Sequence, residues 1–409
     1  MNKNKDKISH FRFIFLLFFL FLQTSVFSQD IHILKRIDSL QSRGTEFYRK
    51  GLFPCQISFE NSAKTHEDNN IFFTAETIYT LQSLRNYFGK SGKTIIDSIS
   101  DRAKHLYVYY RNRQGRPTYN FYQTHPDKPF PGLKFWTHQK WLRLTDDLDD
   151  VSFIYLIRNT SDSLNAAVKK LMELQTRSPK KVVSTFRKYQ NSKAYRTWFA
   201  FRMKQDLDIC VMSNVLLFVY QKHLPLDSTD YSTIALIKQM VNDNDIMKHP
   251  NIVSAHYQKS PIILYHLARL ISKANNPQLN SLIPKIVADL KSELNISTNQ
   301  MDKIILISSL YRLHHPVGFE FNYRNILNDM NTFHWFRANP FSGDNVIYKR
   351  IMGRNGWLNF KYKCNAFYWS LVLELQQLSG AHIQTNGNFL QTKMYKVNYT
   401  ASRSKYLGN

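Results

Sequence analysis

The chain has 409 residues, with 55 Lys+Arg against 30 Asp+Glu, 14% aromatic residues and three cysteines. Its basic residues are scattered in ones and twos, as at Lys169, Lys180 and Lys349. That argues against a nucleic-acid partner, which meets clustered charge, and for a solvated surface suited to anionic membrane lipids or glycans. Cys55, Cys210 and Cys364 form no Cys-x-x-Cys pair, so neither a zinc knot nor a disulfide framework is indicated. An oxidising compartment would permit one bridge, but a chain of this size does not need it, and buried free thiols are expected.

Residues 1–28 read as a signal peptide. Lys3, Lys5, Lys7 and Arg12 precede the apolar run Phe13–Leu22, and Val26 and Ser28 have the spacing a signal peptidase reads. A run of about ten residues is too short for a bilayer, which needs ~20. The expectation is therefore an exported protein, periplasmic or extracellular, with a mature chain of 29–409.

Helical periodicity dominates that chain. His66, Glu67 and Asp68 read as a cap before an apolar helix ending at Leu84, with Glu76 a buried polar residue on it. Gly and Pro then mark an irregular stretch from Arg111 to Trp136. The run Thr145–Ile157 sets Asp146, Asp147, Asp149 and Asp150 directly against an apolar segment, with Thr145 or Asp146 as a helix N-cap. Weak strand signals fall at Val183–Gln190 and Ala194–Phe201. Asp206 and Asp208 repeat the acid-then-core layout ahead of Asn214–Tyr220. Helices follow at Ala235–Met247, Pro261–Ala274, Leu279–Leu294 and Gln300–Leu313. Pro261 suits a first turn behind a Ser260 cap. His256 and Tyr257 stand at that helix's entrance, and His266 and Arg269 read as partners for buried acids. His314 and His315 fall in a loop before Pro316. A second irregular stretch, Asn339–Trp357, leads to a closing helix, with Arg354, Trp357 and Asn365 placed to meet the aspartates across the fold.

About a dozen helices without a dividing linker imply one all-α domain of stacked hairpins. Segments that are apolar all round, such as Asp150–Ile157 and Asn214–Tyr220, belong inside a ring of amphipathic helices. The expected fold is a single α/α toroid of about six helical hairpins.

Asp147 to Asp150, read D-L-D-D, resembles the D-x-D-D motif of class II terpene cyclases of the squalene-hopene group. The stretches Tyr195–Tyr220 and Ser254–Leu270 look like secreted bacterial members of the same toroid superfamily. The resemblance implies an α/α toroid in which Asp149 is the general acid and Asp147 and Asp150 tune it. It also implies aromatics, among them Trp136, Trp198 and Trp357, that stabilise cations by their faces. No cofactor and no metal are implied. Other readings stay open. Asp146, Asp147 and Asp150 also spell D-D-x-x-D, but no second metal motif follows. Acids in a first helical turn also serve as caps. Paired carboxylates across a helical-barrel mouth describe glycosidases, whose aromatics stack sugars. The expected pocket combines Asp146, Trp136, Trp198, Asp206, Asp208, His256, Tyr257, Arg354 and Trp357 around the acidic run, for a small hydrophobic or glycan ligand.

Overall fold

A computed structural model describes residues 31–133, 143–176, 181–199, 204–338, 346–347, 359–380, 384–386 and 389–391. Residues 1–30, which include the expected signal peptide, and Trp136, Arg354 and Trp357 lie outside the described residues. The chain is mostly helical. In order it forms α1 (31–40), β1 (Cys55–Phe59), β2 (Thr65–Asp68), α2 (Phe72–Leu84), α3 (Lys90–Ala103), α4 (Leu148–Ile157), α5 (Asp162–Thr176), α6 (Ile209–Gln221) and α7 (Ser228–Asn242). Then come the short α8 (Asp245–Lys248) and α9 (Pro250–Val253), α10 (Ser260–Ala274), the short α11 (Pro277–Asn280), α12 (Ile283–Ile296), α13 (Gln300–Arg312) and α14 (Tyr323–Thr332). The last elements are β3 (Phe336–Ala338), β4 (Phe360–Lys363), α15 (Asn365–Ser379), β5 (Gln384–Asn386) and β6 (Phe389–Gln391).

Six helices pack in closed cyclic order. α2 lies against α4, α4 against α6, α6 against α10, α10 against α13, α13 against α15, and α15 returns to α2. These are the segments with the fewest polar faces. In α6 every residue from Ile209 to Val219 is buried, and in α10 every residue from Ser260 to Ile271. A helix without a wet face must be surrounded. Between successive ring helices the chain returns through amphipathic α3, α5, α7, α12 and α14, so the ring helices run the same way. α3, for example, buries only Gly92, Ile96, Ile99 and Ala103.

Asx side chains begin many of these helices. Asp147, Asp208, Asp227, Asn276, Asn299 and Asn322 each accept backbone N–H groups at the starts of α4, α6, α7, α11, α13 and α14. The cap of α4 is Asp147, not Thr145 or Asp146. Lys259 precedes α10 without a side-chain cap, and the hydroxyl of Ser260 donates instead to the Ile246 carbonyl at 3.0 Å. Pro261 sits in the first turn as expected.

A small antiparallel sheet, in the order β2-β1-β4-β3, was not anticipated. Its register pairs Ile57 with both His66 and Tyr362, and Phe336 with Tyr362. His66–Asp68 is thus strand, not cap. The segment at 183–190 is made of turns, and the one beginning at Ala194 yields a lone bridge from Trp198 to Asp147. Phe336 stacks on Tyr362 at 4.5 Å and meets Phe72, Phe73 and Phe121 at 5.4–5.5 Å. This aromatic knot seats the sheet on the N-terminal end of α2. Gly51 shows how closely the chain is laid down there. Its φ is +93°, and a Cβ would lie 2.2 Å from the Arg102 carbonyl oxygen.

Candidate functional site

The aspartates collect where α4, α6 and α10 begin. Leu148 N–H donates to the Thr197 carbonyl at 2.9 Å and Phe199 N–H to the Asp146 carbonyl at 3.0 Å, so the segment 197–199 is laid along the start of α4. With the N-terminal ends of parallel helices gathered together, their positive dipole ends face this mouth. The dipoles, together with capping, explain how so many acids are tolerated beside the core.

Each acid has its own setting. Asp146 turns away from the ring and accepts hydrogen bonds from Asn112 and Thr118, both at 2.5 Å, and from Asn120 at 3.4 Å. It anchors the irregular stretch 111–133. Asp147 caps α4 through the Asp150 N–H at 2.8 Å. Asp150 is fully buried, and no donor among the described residues reaches either of its oxygens. Burial, and then the charge of Asp147, hold its carboxyl well above the usual range. Burial also raises Asp147, to about 6, against hydrogen bonding from Asp150.

Asp149 is the pivot. Its two oxygens accept from Asn214 Nδ2 and Tyr257 Oη, each at 2.7 Å. Burial first, and the neighbouring Asp147 charge second, raise it to about 7 against the pull of those two donors. An acid that titrates there is half protonated at neutral pH, which is the setting a general acid needs.

Behind Asp149 the ring interior is charged and aromatic. Arg269 on α10 donates to Asn214 Oδ1 at 2.8 Å and to Glu76 on α2 at 3.3 Å, in contact with the faces of Phe153 and Tyr265 at 5.0 and 5.2 Å. Both members of the Arg269–Glu76 pair are fully buried. Burial raises Glu76 to about 8 although Arg269 pulls it down. Arg269 is thus the partner of a buried acid. His266 is not, since its Nδ1 meets the Ile262 carbonyl at 2.8 Å and its Nε2 has no partner among the described residues.

The second acidic pair faces the first from α6. Asp208 caps that helix through Cys210 N–H at 2.9 Å and also receives Ser254 Oγ and His256 N–H at 2.8–2.9 Å. Burial raises its carboxyl. Fully buried Asp206 is held by the Thr197 hydroxyl and by His256 Nε2 at 3.1 Å. The His256 ring meets Trp198 edge-on at 5.5 Å. The Trp198 indole N–H is buried and has no partner among the described residues. Arg337 N–H from β3 donates to the His256 carbonyl at 2.6 Å, which ties the sheet to this corner.

Asp147, Asp149, Asp150, Trp198, Asp206, Asp208, His256 and Tyr257 are therefore brought together, with Asp146 at their edge. Sequence reasoning missed Asn214, Ser254 and Thr197. Asn214 carried a signal: it is an amide in the middle of a largely apolar ring helix. Among the described residues no cluster of His, Cys, Asp and Glu has the arrangement of a metal site. A hollow of about 770 Å³ lies elsewhere, between α5 and the start of α7. Its Lys169 is bound to Asp227 and Asp230 at 2.9 and 2.7 Å, and none of the mouth acids lines it. Among the described residues no helix is long and apolar enough to cross a membrane. No family model matches the chain, and no curated protein matches it.

Proposed function

We propose that the closed helical ring is a single α/α toroid of an exported protein, and that its acidic mouth performs acid–base chemistry on a glycan of the cell envelope. One observation carries the reading: two carboxyls of the same mouth are set differently. Asp149 is held at about 7 between Asn214 and Tyr257, and Asp206 is engaged by His256 and Thr197. Pairs of carboxyls in contrasting environments divide into acid and base. In this reading Asp149 protonates the departing glycosidic oxygen. Asp206, oriented by His256, serves as the carboxylate opposite it.

The interior supports a polar ligand at the mouth over an apolar chain in the ring. The space behind Asp149 is filled by Glu76, Asn214 and Arg269, and Arg312 pairs with Glu374 deeper in. Acid-initiated isoprenoid chemistry is the second reading. It is favoured by the buried Asp150, whose carboxyl is held above the usual range beside Asp147 in the D-x-D-D run, with Asp149 as the acid for an alkene.

The test is turnover of envelope oligosaccharides and of linear oligoprenyl substrates by wild type, Asp149→Asn and Asp206→Asn. Glycan cleavage lost in both variants supports the first reading. Cyclised prenyl product lost in Asp149→Asn alone replaces it with the second. Glycan binding without turnover, unchanged in either variant, removes the enzyme role altogether.

A further inference from the structure

We propose that Cys55 and Cys364 form a disulfide that fastens the first strand of the sheet to the start of the last ring helix. The β1–β4 ladder pairs Gln56 with Lys363, Ile57 with Tyr362 and Phe59 with Phe360. One step outward, the same register sets Cys55 opposite Cys364. Cys364 precedes α15 with φ −145° and ψ 115°, so its backbone continues the strand. Side chains alternate along a strand. Cys55 therefore shares the buried face with Ile57, and Cys364 shares it with Tyr362.

The thiols point to one place. Cys55 Sγ donates to the Phe53 carbonyl at 3.2 Å and Cys364 Sγ to the next carbonyl, that of Pro54, at 3.6 Å. The two side chains are themselves within hydrogen-bonding reach. Directly opposed residues of an antiparallel pair have Cβ atoms about 4.5–5.5 Å apart, and a disulfide wants about 3.5–4.5 Å. A small approach of two strand ends closes that gap. Both residues are essentially inaccessible, at 0% and 1% exposure, so a bond made during folding is then shielded from reductants.

In an oxidising compartment the step balances simply. Each thiol loses its proton, an S–S bond forms, and the two electrons reduce a disulfide donor to its thiols. Cys210 is the built-in control. It is buried on α6, where its described polar neighbour is the Ser254 hydroxyl at 3.7 Å, and the ladder gives it no cysteine opposite. The bond would join the first residue of β1, the strand that leads through β2 into α2, to the residue just ahead of α15, and α2 and α15 are the two helices whose contact closes the ring.

The experiment takes the full chain secreted into an oxidising compartment, denatures it without reductant, alkylates it and reads the intact mass. One alkylated thiol is expected, at Cys210, with a linked peptide joining Cys55 to Cys364. Wild type unfolded and refolded in reductant should melt at the lower temperature of the Cys55→Ala/Cys364→Ala double variant. Three alkylated thiols, or a linkage that includes Cys210, would overturn the proposal. The count needs no variant, so it decides the matter even where the double variant folds poorly.

Discussion

Replacing Asp149 by Asn should flatten the pH dependence of stability. The carboxyl titrates at about 7 in the folded protein against a usual 3.8. A folded value raised above the unfolded one means that the native state binds the proton more tightly. That contribution is fully present below about pH 4 and is lost as the pH climbs through about 7. A shift of about three units at 1.36 kcal/mol each is worth about 4 kcal/mol in total. Of this, about 2.6 kcal/mol falls between pH 5 and pH 8, since at pH 5 the unfolded carboxyl is already mostly ionised. Asn keeps the geometry. Its Oδ1 accepts from Asn214, and its Nδ2 donates to the Tyr257 hydroxyl, which can accept as well as donate. Glu76, raised to about 8, and Asp147 and Asp68, raised to about 6, remain in both proteins. Both therefore lose stability as the pH rises, and only the difference between them reports Asp149. Denaturant midpoints at pH 5 and pH 8, compared at a common slope, should show the variant gaining on wild type by roughly 2–3 kcal/mol across that interval. Parallel profiles would refute the reasoning, because they would mean that Asp149 titrates as an ordinary carboxyl and cannot serve as an acid at neutral pH.

Tyr257→Phe removes one of the two donors to Asp149. A hydrogen bond to a charged group is worth about 1.5–3 kcal/mol, so the titration of Asp149 should move up by about one to two pH units. NMR titration of the labelled carboxyl would read this, and an unmoved midpoint would contradict the assigned bond. Arg269→Met removes the cation that pulls Glu76 down, so its carboxyl should titrate above about 8 and the stability loss in chemical denaturation should grow as the pH rises past that value, most of it recovered in Arg269→Met/Glu76→Gln. Equal loss in the single and double variants would mean that packing, not charge, sets the cost. Gly51→Ala forces a Cβ against the Arg102 carbonyl at a positive φ and should cost well over about 1 kcal/mol. A neutral effect would show that this turn relaxes freely.

The legible part of this fold was the part written in local pattern. Asp150–Ile157 and Asn214–Tyr220 lack a polar face, so their burial among other helices followed from sequence, as did the amphipathic helices that alternate with them. The sheet was hidden because nothing local announces it. β1 is separated from β4 by almost the whole ring, and both strands are too short and too mixed in polarity for alternation to stand out. His66–Asp68 looked like a cap because Asp68 is one of the residues that commonly cap. In the fold it is paired into β2 and bound by the Tyr122 hydroxyl at 2.9 Å. The same blindness to distance shaped the reading of the acids. Asp146, Asp147, Asp149 and Asp150 all stood out in sequence, but which one caps depended on the segment 197–199 lying beside α4. That pairing selects Asp147 and leaves Asp146 to the 111–133 stretch. It sends Asp149 inward to Asn214, whose amide on a largely apolar helix is the polar contact through which Arg269 reaches the acid. A run of four acids is thus divided by tertiary contacts into an anchor, a cap, a titrating acid and a buried partner. The division rests on the stretch 111–133, on the segment 197–199, on residues of α6 and α10 and on Tyr257 before α10, none of them adjacent to the run in sequence.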